Sequence, residues 1–138
     1  MRSLADIEQR LDTLVGGTSG AADAAELLGL AEEIVEHWVS AHGEVPTNDL
    51  REGFRLLALH RQGARDIPSF NACRETCREL VYHYNLLKLQ PEGVDVSMQA
   101  RMMTLLANHL YLFVAGKLQV EQLGEFCCAS RPLRAGAG

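Results

Sequence analysis

Apolar residues recur at intervals of three and four along almost the whole 138-residue chain, and this helical period limits the fold more than any other feature. Leu4, Ile7, Leu11 and Leu14 begin the pattern, and Ser3 stands before them as a helix cap. The sequence contains no alternating apolar and polar run long enough to predict a strand. We therefore predict an all-α, single-domain bundle of five to six helices.

Segments rich in glycine and proline separate the apolar-periodic stretches and give the predicted bounds. The predicted helices cover residues 4–15, 21–42, 48–62, 69 to about 90, 95–116 and 119–127. The bundle domain is predicted to span residues 1–129. The last nine residues, 130–138, are predicted to form a disordered tail.

The fifth predicted helix is apolar around an unusually wide arc. On a helical wheel its apolar residues cover about 200°, whereas the surface helix of a small protein needs a stripe of only about 100°. The second helix is nearly as wide, at about 180°. Either one of them lies at the centre of the bundle, or a second chain covers the excess. We predict a homodimer and a protein interface formed by Met103, Leu110 and Val114.

Charge and hydropathy indicate the setting in which the protein works. The net charge of −5 divides into −8 over residues 1–50 and +3 over residues 51–138, and neither part is a concentrated basic face for nucleic acid. The longest nearly apolar run, 102–115, is shorter than the roughly 20 residues of a membrane span, and the N-terminus lacks an apolar signal segment. These features predict a cytoplasmic protein with reduced cysteines and no association with membranes.

Two of the four cysteines are spaced to share one side of a helix. Cys73 and Cys77 could therefore bind a metal or serve as reactive thiols, which is one alternative function. Their neighbours on the same stripe, Phe70, Leu80 and Tyr84, are the residues of a core, so packing is the favoured interpretation. No catalytic or phosphate-loop motif accompanies them, and we expect neither a cofactor nor an enzymatic activity.

A second alternative treats the segment from Asp49 to His83 as helix, turn and helix. Arg74 and Arg78 would then enter the major groove of DNA. Four further arginines would contact phosphates: Arg51, Arg55, Arg61 and Arg65. Acidic residues are interleaved with these arginines, and the break between the helices is longer than the usual turn of three to four residues, so DNA binding is the weaker hypothesis.

A small helical chain with wide apolar faces and no chemical motif is typical of proteins that work by binding other proteins. In size and helical class, though in no motif, it resembles the small bacterial antiactivators that sequester a transcription factor. That resemblance implies a regulatory or adaptor protein that masks the interaction surface of a partner protein such as a transcription factor. It identifies no residues.

Overall fold

The computed structural model describes residues 2–16, 24–89 and 96–122. These residues form α1 (Leu4–Gly16), α2 (Ala24–Ala41), α3 (Arg55–Ala64), α4 (Arg74–Leu89) and α5 (Val96–Val120), with a 3-10 helix, Pro68–Cys73, directly before α4. The all-α prediction is confirmed. The predicted cap is also present, since the Asp6 amide donates a hydrogen bond to Ser3 Oγ at 3.1 Å.

Helix α2 lies at the centre of the fold and packs against the other four helices. Its apolar residues point in several directions, and each direction meets a different neighbour. The side chains it buries are Leu27, Leu30, Ala31, Ile34, Val35, Trp38 and Val39. The chain itself therefore covers most of the apolar surface of one of the two wide-faced helices.

A glycine allows α2 and α3 to approach closely around the single tryptophan. The Trp38 indole N–H donates to the Gly63 carbonyl oxygen at 3.0 Å. A Cβ atom at position 63 would lie 2.7 Å from Trp38 Cδ1, so only glycine fits there. Phe70 of the 3-10 helix stacks on the indole, with ring centroids 4.3 Å apart.

Three predicted helix bounds are wrong. The third helix begins at Arg55 rather than 48, because residues 51–54 form a tight turn with Glu52 (φ 54°) and Gly53 (φ 86°) in the left-handed region, which a helix cannot include. The predicted fourth helix begins as a 3-10 helix at Pro68 rather than as an α-helix at 69. The fifth continues past Gly116 to Val120, so no new helix begins at 119. The remainder of the predicted sixth helix, and the predicted tail at 130–138, lie outside the described residues.

Candidate functional site

Helix α5 is buried along one side by α1, α2 and α4. Met103, Leu110 and Val114 all lie on this side, and each has 0% of its surface exposed. The prediction that these three residues form a protein interface is therefore wrong. Neighbouring helices of the same chain already cover them, so a partner cannot reach them unless those helices separate.

Small residues explain why this side of α5 faces inward. Ala100 and Ala107 are buried between the larger side chains and let the neighbouring helices approach closely. Thr104 is also buried, and its hydroxyl donates to the Ala100 carbonyl oxygen at 2.9 Å. A threonine satisfied by its own helix can lie in a core without an unpaired polar group.

The opposite side of α5 is exposed and largely apolar. Six residues at intervals of four and three form this surface, which we call the exposed row: Met98, Met102, Leu105, His109, Leu112 and Gly116. The four large apolar members are 58%, 38%, 47% and 58% exposed, in that order. Regular spacing of this kind is the a and d pattern of a helix that packs lengthwise against another helix.

A shallow recess lies at the C-terminal end of the exposed row. It measures about 400 Å³ and is bordered by Phe113, Gly116 and Val120, with Lys117 and Glu121 at its rim. A Cβ atom added to Gly116 would meet nothing within 4 Å, so the recess begins at the helix backbone itself. The Lys117 ammonium group donates to Ser69 Oγ of the 3-10 helix at 2.9 Å.

Apart from His109, the exposed row carries no ionisable side chain. Arg101 and Lys117 are the basic residues within α5, and neither belongs to the row. A surface helix ordinarily places its polar residues where this row lies. Exposed apolar side chains in a continuous line mark an interaction surface more often than isolated ones do.

The two cysteines of α4 and the preceding 3-10 helix are interior residues. Cys73 and Cys77 are buried, and the Cys73 thiol donates to the Phe70 carbonyl oxygen at 3.3 Å. A hydrogen bond from Cys77 lowers the pKa of the Cys73 thiol, although burial acts in the opposite direction; His60 also lowers it. The same hydrogen bond with Cys73, together with burial, raises the pKa of Cys77. No cluster of three or more metal-binding side chains occurs within residues 2–16, 24–89 and 96–122. The geometry therefore adds nothing to the metal hypothesis.

Arg74 and Arg78 lie at the start of α4, as the DNA-binding alternative requires, but they do not form a protruding surface. Both line a cavity whose other wall is α3. Arg78 is engaged with Glu52, through hydrogen bonds of 3.1 and 3.0 Å. Nine residues, including the 3-10 helix, separate the end of α3 from the start of α4, which is unlike the short turn of a helix-turn-helix unit.

Comparisons with known proteins leave the site to be interpreted from its own geometry. No protein family model, curated protein or solved structure matches this chain. Within the described ranges, no helix combines the length and the hydropathy that crossing a membrane requires.

Proposed function

We propose that this protein is a regulatory or adaptor protein that works by helix-to-helix binding, and that the exposed row of α5 is its interaction surface. The observation that carries the proposal is the line of large apolar side chains at heptad spacing along a helix of 25 residues, about 37 Å long. Burying this line removes apolar surface from water, which is the main favourable term in association. The interface predicted from sequence is thus moved to the other side of the same helix.

We propose a second copy of the chain, packed antiparallel through α5, as the occupant of the exposed row. In an antiparallel pair, an a position of one helix lies across from a d position of the other. One register satisfies this along the whole row. It places Met98 opposite Gly116, Met102 opposite Leu112, and Leu105 opposite His109, and the twofold axis repeats each pair.

Shape complementarity favours this antiparallel register. The long side chain of Met98 would enter the recess beside Gly116, where Phe113 and Val120 provide apolar walls. A flexible thioether adapts well to such a gap. A parallel pair in register would instead place Gly116 against Gly116 and His109 against His109, leaving a void at one level and two ionisable rings at another.

We further propose that the regulatory partner competes for the same exposed row. An amphipathic helix with apolar residues at the same spacing, such as a dimerisation helix of a transcription factor, would replace the second copy. The protein would then act by mass action, because each captured partner helix is removed from its own assembly. The extent of this shift depends on the difference in affinity between partner and second copy.

The test is the mass in solution of a variant that places charge on the exposed row. Wild type is expected to have twice the chain mass of 15.2 kDa by light scattering at micromolar concentration, and Leu105→Glu/Leu112→Glu is expected to have the chain mass alone. Val45→Glu/Leu50→Glu is the control, since these apolar side chains are 84% and 66% exposed away from α5. A wild type that remains at 15.2 kDa, or a double variant that stays dimeric, would contradict the proposal.

A synthetic peptide of residues 96–120 can represent a partner helix. It is expected to bind wild type and convert the dimer into a complex of one chain and one peptide. The same peptide with Leu105→Glu and Leu112→Glu is the matched control and is expected not to bind. If both peptides bind equally well, the row does not determine recognition.

A further inference from the structure

Five arginines converge on one cavity between α3, α4 and the turn that precedes α3. The cavity has a volume of about 280 Å³, and its arginines are Arg51, Arg61, Arg65, Arg74 and Arg78. The buried residue His60 and Asn71 also border it, and none of the acidic residues that the structure describes does. This concentration of positive charge stands out in a chain whose net charge is −5.

Intramolecular carboxylates neutralise only part of this charge. Glu52 pairs with Arg78 at 3.0 Å and reaches Arg51 only at 3.9 Å, while Glu44 reaches Arg65 at 4.0 Å. Arg61 and Arg74 have no ion pair within the described residues. Arg55, by contrast, points away from the cavity and pairs with Glu36 at 2.9 Å. The cavity therefore has guanidinium groups in excess of carboxylates.

We propose that this cavity binds the phosphate group of a small phosphorylated ligand. Guanidinium groups present paired N–H donors that match phosphate oxygens, and converging arginines are the usual way in which a protein holds a doubly charged anion. Asn71 adds an amide donor at the same cavity. The site is separate from the exposed row of α5, so this proposal does not depend on the proposed function.

A second recess provides room for the rest of the ligand. It has a volume of about 580 Å³ and shares Arg51, Arg61 and Arg65 with the arginine cavity. Leu50 and Ala58 give it apolar surface, and Thr47, Asp49 and Gln62 give it polar groups. A site of this form suits a phosphomonoester of about mononucleotide size, with the phosphate among the arginines and the organic part beside the loop.

Glu52 acts as an internal competitor for the anion. Its backbone lies in the left-handed region, with φ at 54°, which is uncommon for a residue other than glycine and persists only where the surroundings impose it. Two hydrogen bonds of 3.0 Å between Arg51 and Phe54 hold the turn in this form. The turn thus presents the Glu52 carboxylate to Arg78, where a phosphate oxygen would otherwise bind.

The concave shape favours a small ligand over duplex DNA. Proteins that read DNA insert a protruding helix into the major groove and contact phosphates from a convex or flat surface. Here the arginines of α3 and α4 face each other across a cavity instead. A phosphate in a DNA backbone, flanked on both sides by sugars, would enter it less readily than a terminal phosphate.

Calorimetric titration at constant ionic strength tests the site with inorganic phosphate, adenosine monophosphate and a short DNA duplex as probes. We expect saturable binding of phosphate and tighter binding of the mononucleotide. Arg61→Ala and Arg74→Ala should each weaken both by about tenfold or more, since hydrogen bonds between charged groups are lost. Arg101→Ala on α5 is the matched control and should change nothing. Glu52→Gln should tighten phosphate binding, because it removes the competing carboxylate.

Three results would overturn the proposal. One is the absence of saturable binding of phosphate and mononucleotide to a wild type whose helical content by circular dichroism is intact. Another is binding that Arg61→Ala and Arg74→Ala leave unchanged. The third is a duplex that binds more tightly than the mononucleotide, which would return these arginines to the DNA-binding alternative.

Discussion

Helices α2 and α5 carry similarly wide apolar arcs, but they differ in how much of that surface the chain buries. Four helices surround α2, and none of its large apolar side chains is exposed. Helix α5 packs against α1, α2 and α4 on one side only, and Met102, Leu105 and Leu112 remain exposed on the other. A wide apolar arc is therefore explained by a central position in one case. In α5, part of the apolar arc stays exposed, because no helix in the described part of the chain packs against it.

The solvent-facing edges of α2 and α5 also differ in polarity. Glutamates of α2 pair with arginines from other elements, Glu26 with Arg10 at 2.6 Å and Glu36 with Arg55 at 2.9 Å. These contacts lie where α2 reaches solvent, so its polar groups have partners within the chain. The exposed row of α5 has apolar side chains in the equivalent place. The two helices have similarly wide apolar arcs, but polar ion-paired side chains border α2 and exposed apolar side chains border α5.

The largest expected effect separates the two sides of α5. In a chain kept monomeric by Leu105→Glu, Leu110→Ala should lower the free energy of unfolding by about 2–5 kcal/mol, because it leaves a cavity in the core. Leu112→Ala, two residues further along, should change it by less than about 0.5 kcal/mol. Urea denaturation measures both. Equal losses for the two variants would show that α5 does not have one buried and one exposed side.

Replacing either of two glycines by alanine should have an effect of intermediate size on stability, and the two effects should have opposite signs. Gly63→Ala places a Cβ atom 2.7 Å from Trp38 Cδ1 and should destabilise the bundle by about 1–3 kcal/mol. Gly116→Ala meets nothing within 4 Å and should stabilise monomeric α5 by about 0.5–1 kcal/mol through helix propensity. The same change should weaken self-association, because it fills the recess proposed for Met98. Thermal unfolding and sedimentation equilibrium measure the two effects, and tighter association of Gly116→Ala would argue against the antiparallel register.

The smallest effect concerns the ion pair at the edge of α2. The hydrogen bond from Arg10 lowers the pKa of Glu26 below its ordinary value of 4.5, against the effect of burial. Because folding lowers the pKa of Glu26, the ion pair contributes its full stabilisation above the ordinary pKa of 4.5. That stabilisation is lost as the pH falls from 4.5 through the lowered pKa of the folded state. The unfolding free energy of wild type should therefore fall more steeply than that of Glu26→Gln below pH 4.5. Parallel pH profiles for the two proteins would assign no stabilising role to the pair.

Much of the helical fold could be predicted from local patterns. The periods of apolar residues predicted all five described helices, and Ser3 caps the start of α1 as predicted. The turn at residues 51–54 was missed because Glu52 is an unusual residue for a positive φ, so the sequence offered only Gly53 as a signal. The 3-10 helix was missed because Phe70 and Cys73 continue the spacing of α4 and are buried with it.

The sites depended on tertiary information that periodicity does not contain. Both sides of α5 are apolar, so helical periodicity alone does not show which side faces α2. The small residues Ala100 and Ala107, which let neighbouring helices approach α5 closely, indicate the buried side. The sequence shows six arginines from position 51 to position 78. It does not show that five of them line one cavity while Arg55 pairs with Glu36. That separation depends on how α3 and α4 pack.

Cross-linking through α5 tests the central claim most directly. Chains with Met102→Cys and chains with Leu112→Cys are mixed and oxidised, both also carrying Cys127→Ser and Cys128→Ser to remove other thiols, while Cys73 and Cys77 are buried. The account predicts that mass spectrometry finds mainly the mixed disulfide, joining position 102 of one copy to position 112 of the other. Chains linked mainly to their own kind, or no cross-linked product, would contradict an antiparallel pairing of the exposed rows.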